Sequence, residues 1–423
     1  MSGRSGAACQ VLLAFLRLGL TSFGGPIAHL GYFRYQFVER RGWLDAAEFA
    51  ELVALCQFLP GPASSQMGIA IGLKRAGAIG AVAAWVGFTL PSALLLIGFA
   101  RHAVEPGMLL NAAWLHGLLL AAVAIVAQAV WTMGRQFCAG RVSLLIGAVA
   151  ALACSLAGGG LVQVLVLAAG ALAGWLLLPH QPAGDAAGVA IEIGADGSAR
   201  SRASRVSRVS RVSRASYAPR TSGIIALVIF GLLLVGLPLA ALITPDHTLA
   251  LVDRFFRVGS LVFGGGHVVL PLLQAQLVPP GWISEQSFLA GYAAAQAVPG
   301  PLFSFAAYLG AAMAPAPNGW LGALICLLAI YLPSFLLVAG VMPFWWSLRR
   351  RAGMRRALSG VNAAVVGVLL SALYSPVFTS AIHSAGDLAI ALIGFVLLVI
   401  GRLPSWALLL LCAGYALARP AVG

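Results

Sequence analysis

Runs of predominantly apolar residues recur along this chain, and a run of about 20 residues is long enough to cross the hydrocarbon core of a bilayer. Inside a bilayer the backbone must satisfy its own hydrogen bonds, so only helices and closed barrels can span it. Barrel strands would read as short segments of alternating polarity, and the runs here are longer and evenly apolar. Charged residues make up only 9% of the chain and hydrophobic residues 61%, which is too little charge to cover a soluble domain. The sequence therefore predicts an all-α polytopic membrane protein.

The chain also repeats itself. Matching stretches occur in the same order at shifts of 240, 239 and 242 residues, and they pair Phe15–Pro26 with Phe255–Gly266, Gln57–Pro62 with Gln296–Pro301, and Pro91–Ser92 with Pro333–Ser334. Chance would produce one such match but hardly three in series. The repeat therefore predicts two homologous halves, a plan that is common among secondary transporters.

Apolar runs and helix breakers predict about 12–13 transmembrane helices, arranged as six, one and six. The predicted parts are an N-terminal repeat at 8–178, a basic Arg/Ser-rich cytoplasmic linker at 180–222, an extra connecting transmembrane helix at 223–244, and a C-terminal repeat at 250–418. One extra crossing between two six-helix units would place the units in opposite orientations. The predicted fold is therefore two inverted-topology halves with broken helices.

The net charge of +14 is concentrated in a few places, chiefly between Arg200 and Arg220 and between Arg349 and Arg356. Basic residues that flank spans favour the cytoplasmic side, which predicts a cytoplasmic N-terminus. Counting every apolar run as a full crossing then puts Arg34, Arg40 and Arg41 outside, as an exception to the charge bias. The sequence leaves open whether the PGP segments cross the membrane fully or are re-entrant. No folded basic module accompanies the charge, so nucleic acid is not an expected partner. The linker is expected to be a solvated tether near anionic lipid head groups.

Helix breaks at matching places in the two halves are the best sequence pointer to a transporter's binding site. Proline removes a backbone donor and glycine tolerates positive φ, so the FGG and PGP segments are expected to interrupt helices. A half-helix that begins after a break presents free N–H groups, which suit an anion. Gln57 and Gln296 precede the PGP breaks, while Ser64, Ser65 and Ser304 follow them. The alternative interpretations are tight helix packing at the glycines and structural kinks at the prolines.

Arg17 and Arg257 stand at equivalent repeat positions inside apolar runs. An arginine near the centre of a bilayer costs at least about 2.5–3.5 kcal/mol, so its presence in both halves favours contact with an anion. Snorkelling of the side chain to the interface is the alternative. The candidate substrate-binding residues, all in or beside the breaks, are Arg17, Gly24, Gly25, Pro26, Gln57, Pro60, Gly61, Pro62, Ser64, Arg257, Gly264, Gly265, Gln296, Pro299, Gly300, Pro301 and Ser304.

Motifs for chemistry are missing from the sequence. It contains no GxxxxGK[ST], HExxH or GxSxG segment and no dinucleotide fingerprint after a strand. Six cysteines are scattered without a CxxC spacing, which predicts neither a disulfide nor a metal site. The protein is therefore expected to be no enzyme and to need no cofactor.

The paired FxRxGxxxFGGP and QxxPGP motifs resemble those of the chromate ion transporter family in its long two-domain form. The resemblance extends over both halves and implies a secondary active antiporter that exports chromate across the bacterial inner membrane and confers chromate resistance. The resemblance implies that the motif residues of both halves form the substrate site. Gly266 departs from the pattern, because it stands where the first half has Pro26, so the second break is expected to be softer.

The resemblance implies chromate and the lipid bilayer as partners. Sulfate is expected to compete because it has the same tetrahedral shape and charge, and the oligomeric state stays open between monomer and homodimer. Two other functions remain open on the residues alone. One is transport, including import, of another oxyanion such as sulfate. The other is a membrane scaffold or sensor whose basic linker recruits partners.

Overall fold

A computed structural model of the chain describes residues 2–103, 112–157, 159–179, 220–263, 268–348, 351–401 and 403–418. Throughout these ranges the regular structure is helical and contains no strand. Six of the described helices are long and apolar enough to cross a membrane, judged by length and composition. The predicted all-α polytopic class is therefore confirmed. Residues 180–219 of the predicted linker lie outside the described residues.

The first half consists of short helices followed by longer ones. They are α1 (Ser2–Thr21), α2 (Gly25–Arg34) with a π-helical continuation at Tyr35–Arg40, α3 (Ala46–Phe58), α4 (Ala63–Ala103), α5 (Ala112–Phe137), α6 (Arg141–Ala157) and α7 (Gly160–Leu177). A connecting helix, α8 (Arg220–Ile243), leads to the second half.

The second half follows a similar order. Its helices are α9 (His247–Leu261), α10 (Val269–Leu277), α11 (Glu285–Ala297), α12 (Phe305–Ala312) preceded by a 3-10 turn at Leu302–Ser304, α13 (Gly319–Val341) followed by a 3-10 turn at Met342–Phe344, α14 (Trp345–Leu348), α15 (Ala352–Ala372) with a π-helical continuation at Leu373–Phe378, α16 (Thr379–Ala381), α17 (Ala385–Val399) and α18 (Ser405–Ala418).

The first PGP segment is the tip of a hairpin that does not cross the membrane. α3 has 13 residues, and α4 is kinked at Ala76 and Gly77, so its first arm is equally short. A helix of that length spans about 20 Å, well short of a hydrocarbon core of about 30 Å. The two outer ends meet, because Lys74 forms an ion pair with Glu48. The chain therefore returns to the side from which it entered.

The second PGP segment has the same construction. α11 has 13 residues and α12 has 8. The backbone N–H of Ala314, just after α12, donates to the carbonyl of Trp282, just before α11, at 3.0 Å. The Tyr308 hydroxyl donates to the carbonyl of Ser287 at 2.8 Å. Both PGP segments are therefore tips of re-entrant hairpins.

The helices on either side of the FGG segments also fold back. In the first half, the ring of Phe15 in α1 lies 5.5 Å from that of Phe33 and 4.9 Å from that of Phe37. In the second half, Arg254 of α9 donates to the carbonyl of Gln276 at 2.5 Å. These contacts between the two arms show that the chain turns back after each FGG break.

The hairpins correct one sequence prediction, namely that Arg41 lies on the opposite side from Lys74 and Arg75. The guanidinium groups of Arg41 and Arg75 lie over the same Trp43 ring, at 5.0 Å and 5.1 Å from its centroid. The prediction is wrong because it counted each broken hairpin as a full crossing. With the hairpins counted as returns, the basic residues of the first half gather at one end of the molecule.

Glycines of the repeated motif hold the long helices together. A Cβ at Gly19 would lie 2.8 Å from the carbonyl oxygen of Phe88 in α4, and a Cβ at Gly259 would collide with the carbonyl oxygen of Ile330 in α13. Small residues permit such close approach of helices in a membrane. The last two helices of each half pack on the other half: α6 and α7 pack on α15, and α17 and α18 pack on α5. The two halves are thus interwoven around the hairpin tips.

Candidate functional site

The helix breaks of the two halves meet each other. The backbone N–H of Gly61, in the first PGP segment, donates to the carbonyl of Val262 at 2.6 Å. The N–H of Gly300, in the second, donates to the carbonyl of Ser22 at 2.9 Å. Gly61 and Gly300 are repeat equivalents, as are Ser22 and Val262. Each PGP tip therefore docks on the start of the FGG break in the other half.

Both tips require glycine. The φ angles are +123° at Gly61 and +108° at Gly300, which side chains rarely adopt. A Cβ at Gly300 would lie 2.9 Å from the hydroxyl oxygen of Ser92. A Cβ at Gly61 would lie 2.9 Å from the hydroxyl oxygen of Ser334. The tips therefore come within contact distance of α4 and α13 because they carry no side chain.

A buried polar cluster surrounds this meeting point. Its six members, called the central polar cluster below, form three repeat-equivalent pairs, namely Ser65 with Ser304, Thr89 with Tyr331, and Ser92 with Ser334. None is more than 2% exposed. Ser65 and Ser304 follow the PGP tips, while the other four lie on α4 and α13 next to Pro91 and Pro333. The duplication thus brings hydroxyl groups from both halves to one place.

The hydrogen-bonding capacity of the central polar cluster is only partly used. Ser92 bonds to the Ser304 hydroxyl at 2.6 Å and donates to the carbonyl of Thr89 at 3.0 Å. Among the described residues, the hydroxyls of Ser65, Thr89, Tyr331 and Ser334 make no hydrogen bond of ordinary geometry, although Ser65, Thr89 and Ser304 face the hydroxyl of Tyr331. An unsatisfied buried polar group costs about 1–3 kcal/mol. The cluster therefore has hydroxyl donors to spare, which suits a ligand rich in acceptor oxygens.

Two helix N-termini point into the same place. α4 begins at Ala63, directly after the first PGP tip, and the 3-10 turn that leads into α12 begins at Leu302, directly after the second. The first N–H groups of a helix have no intrahelical acceptor and carry partial positive charge. The six cluster side chains carry hydroxyls and no charge. The site therefore offers donors and a positive field without a carboxylate, which suits an anion.

The first FGG break adds further polar atoms. Ser22 is buried, and its carbonyl oxygen lies 3.3 Å from Nε2 of the buried His29 as well as accepting from Gly300. Gly24 adopts a φ of +101° and caps α2, in which Gly25 and Pro26 are the first residues. The corresponding residues of the second half, Gly264 and Gly265, lie outside the described residues.

The two arginines of the repeat have different surroundings. Arg17 is exposed, lies four residues before the end of α1 at the first FGG break, and is within electrostatic range of Arg41. Burial, followed by the positive charges of Arg40 and Arg17, lowers the pKa of Arg41 below its usual value. Arg257 is half-buried and forms an ion pair with Asp253, one turn earlier in α9. The two repeat arginines therefore differ in exposure and in charge pairing, and in the described residues neither guanidinium forms a hydrogen bond with a cluster hydroxyl, although the buried Nε of Arg257 has no partner.

The other predicted site residues divide between the tips and their flanks. Pro60, Pro62, Pro299 and Pro301 frame the two tips, and the Pro60 carbonyl accepts from the Gln66 amide at 2.5 Å. Ser64 is buried. Gln57 is exposed, and Gln296 is half-buried and interacts with Tyr292. Both glutamines therefore lie on the approach to the tips.

Sequence reasoning did not select Thr89, Tyr331 or Gln66, and it used Ser92 and Ser334 as repeat markers without naming them as site residues. The signal for the first two was present in the third repeat match, because Pro91–Ser92 and Pro333–Ser334 mark equivalent turns of α4 and α13. Thr89 and Tyr331 each stand two residues before the matched proline. Their pairing is visible only when position, and not residue identity, is compared.

Comparison with known proteins identifies relatives over nearly the whole chain. A family model described as "Chromate transporter" matches residues 9–175 and 249–417. The chain is 27% identical to a chromate transport protein of Pseudomonas aeruginosa, over 85% of this chain and 79% of that protein. It is also 27% identical to a probable chromate transport protein of Synechococcus elongatus, over 94% and 90% of the two chains. A chromate transport protein of Cupriavidus metallidurans is 27% identical over 92% and 86%. No solved structure matches the chain.

Proposed function

The chain belongs to the chromate transporter family, and from that premise we propose that it is a secondary active transporter that carries chromate across the bacterial inner membrane. The relatives named as chromate transport proteins support the substrate. The helices long enough to cross a membrane support a multi-pass location. The proposal involves binding and movement of the ion and no chemical transformation of it.

The observation that carries this proposal is the set of unsatisfied buried hydroxyls where the two halves meet. Chromate is a tetrahedral dianion whose four oxygens accept hydrogen bonds. The hydroxyls of Ser65, Thr89, Tyr331 and Ser334 would donate to it, together with N–H groups at the starts of α4 and the turn into α12. Hydrogen bonds to a charged group contribute about 1.5–3 kcal/mol each, so these donors would offset part of the cost of removing a dianion from water.

We further propose that the two halves have opposite orientations in the membrane and that transport exchanges their roles. Along the chain, one connecting crossing, α8, separates the hairpins of the first half from those of the second. Because the central polar cluster is buried in this conformation, an ion reaches it only when a PGP tip separates from the opposite FGG break. Separation of one tip at a time would open the cluster to one side and then to the other.

The charge distribution supports export as the direction. Arg41 and Arg75 belong to the basic end of the first half, which the positive-inside rule assigns to the cytoplasm, and Arg17 lies within electrostatic range of Arg41. A positive surface raises the local concentration of a dianion at that entrance. We therefore assign Arg17 to ion capture before binding. Arg257 is neutralised by Asp253, so the two repeat arginines would contribute unequally. Export of chromate would make expressing cells chromate-resistant.

Purified protein in proteoliposomes is expected to move chromate, and sulfate is expected to inhibit that flux competitively because the hydroxyl set recognises a tetrahedral dianion. The measurement is the initial rate of chromate flux at increasing sulfate. Inside-out membrane vesicles add the direction, since an exporter accumulates chromate in them. Protein-dependent sulfate accumulation without chromate flux would instead favour the second candidate, a sulfate transporter. Absence of flux for both anions would contradict the proposal.

A further inference from the structure

A second polar space lies apart from the central polar cluster. A half-open cavity of about 440 Å³ is lined by α6 and α7 of the first half and by α10, the start of α11 and the end of α15 with α16 in the second. Its polar lining includes Ser155, Gln163, Glu285, Ser371, Thr379 and Ser380. It shares no residue with the central polar cluster. Glu285 is the one charged side chain among its lining residues.

Gln163 lines this cavity and carries an unused acceptor atom that is itself buried. The side chain is 9% exposed, and its Nε2 donates to the carbonyl of Pro271 at 3.3 Å. Its Oε1 is buried and has no hydrogen-bond partner among the described residues. An orphaned buried acceptor requires either a donor or a cation to offset its lost hydration. The cavity beside it is large enough to hold one.

Glu285 supplies negative charge to the same cavity. Ser284 caps α11, accepting from the N–H of Ser287, so the cap does not occupy the Glu285 carboxylate. Its Oε1 accepts from the hydroxyl of Ser380 at 2.6 Å. Across the described ranges, no lysine or arginine comes within ion-pairing distance of Glu285. The half-buried carboxylate therefore has one hydroxyl donor and the partial positive charge of the α11 N-terminus beside it, but no ion-pair partner among the described residues.

A carboxylate at this position belongs to one half only, and the acids beside the equivalent position of the first half, Asp45 and Glu48, are engaged in the capping box of α3 and in the ion pair with Lys74. At the shift that relates the PGP hairpins, the position equivalent to Glu285 is Ala46. The elements that hold the duplicated fold, such as the PGP tips and the central polar cluster, occur in both halves. An acid in a polar cavity of one half serves a task that the symmetric substrate path does not share. Coupling to a second ion is such a task.

We propose that this cavity binds the coupling cation, a proton or Na⁺, at the Glu285 carboxylate and the Gln163 amide oxygen; this inference rests on the proposed chromate transport. Carboxylate, amide and hydroxyl oxygens form an all-oxygen donor set, which suits hard cations. The cavity is walled by α11, the first arm of the hairpin whose tip carries Gly300. Occupancy therefore alters the equilibrium between docked and separated states of that tip, and by linkage chromate binding alters the affinity for the cation.

The test uses full-length protein in proteoliposomes with either a pH gradient or a Na⁺ gradient imposed separately. In the native protein, one of the two gradients is expected to change chromate flux by about tenfold, within the usual range of coupling between sites. The Glu285→Gln variant is expected to lose this response while retaining chromate counterflow in the absence of any gradient. The gradient that acts identifies the cation.

Three controls make the outcome decisive. Glu39→Gln removes an acid that is 54% exposed on its side chain and is expected to respond like native protein. Glu285→Asp is expected to restore part of the response, and Gln163→Leu to raise the cation concentration needed for half-maximal flux. A Glu285→Gln variant that responds like native protein, or a native protein that responds to neither gradient, would overturn the inference. Failure of native counterflow would instead overturn the proposed function.

Discussion

Oxidation of a Ser92→Cys/Ser304→Cys double variant is expected to stop chromate flux, and a reductant is expected to restore it only to the extent that it reaches the buried cross-link. The two hydroxyl oxygens lie 2.6 Å apart, with Ser92 on α4 and Ser304 beside the second PGP tip. That separation is close enough for a disulfide, whose sulfur atoms are about 2.05 Å apart. A bond there ties the tip of one half to the long helix of the other. Since the buried cluster opens only when the tip moves, the locked protein has no route for the ion.

The single variants Ser92→Cys and Ser304→Cys serve as controls and are expected to be insensitive to oxidant. Four of the six native cysteines are buried, which limits competing reactions. The measurement is the initial rate of chromate flux before oxidant, after oxidant and after reductant. Full flux in a double variant whose cross-link is verified by mass spectrometry would show that the tip does not move during transport.

Gly300→Ala is expected to reduce chromate flux by more than about tenfold, because a displacement of about 1.4 kcal/mol already changes an equilibrium by that factor. The φ of +108° there is one that side chains rarely adopt. The added Cβ would also lie 2.9 Å from the Ser92 hydroxyl and 3.2 Å from the Phe88 carbonyl. Both effects push the tip away from α4 and lengthen the Gly300–Ser22 hydrogen bond.

Gly281→Ala provides a matched control for this substitution. Gly281 also has a positive φ, of +74°, but a Cβ there would meet nothing within 4 Å. It carries backbone strain without contact to the tips, so its flux is expected to stay close to native. Thermal unfolding in detergent, measured for both variants, separates loss of fold from loss of function. Equal flux in Gly300→Ala and native protein would show that docking of the tip is not needed.

Much of the site was predictable because the duplication pairs positions. Proline and glycine chemistry predicts that the PGP and FGG segments interrupt helices, and the equivalent breaks of the two halves were expected to meet. In the structure the breaks do meet, because Gly61 and Gly300 each form a hydrogen bond with the opposite half. The inverted orientation of the halves remains a prediction.

The rest required three-dimensional information. In sequence, an apolar run of 27 residues looks the same whether it forms one long span or two short helices that double back. Only three-dimensional contacts, such as that of Lys74 with Glu48, distinguish the hairpin from the single span. The difference between the repeat arginines also depends on neighbours, since Asp253 precedes Arg257 by one turn whereas Leu13 holds the equivalent position before Arg17. The cavity at Glu285 is built by helices from both halves, so no single segment could reveal it.

Chromate affinity and unfolding temperature of Ser334→Ala together test the central claim most directly. The Ser334 hydroxyl is buried and makes no hydrogen bond in the described part of the chain, so its removal costs the free protein nothing and is expected to leave the unfolding temperature unchanged or raised. The same change removes a donor to chromate and is expected to weaken binding by about tenfold, as for a hydrogen bond to a charged ligand. Ser92→Ala, at the equivalent position, deletes a bonded hydroxyl and is expected to lower the unfolding temperature. Unchanged chromate affinity in Ser334→Ala would contradict the account.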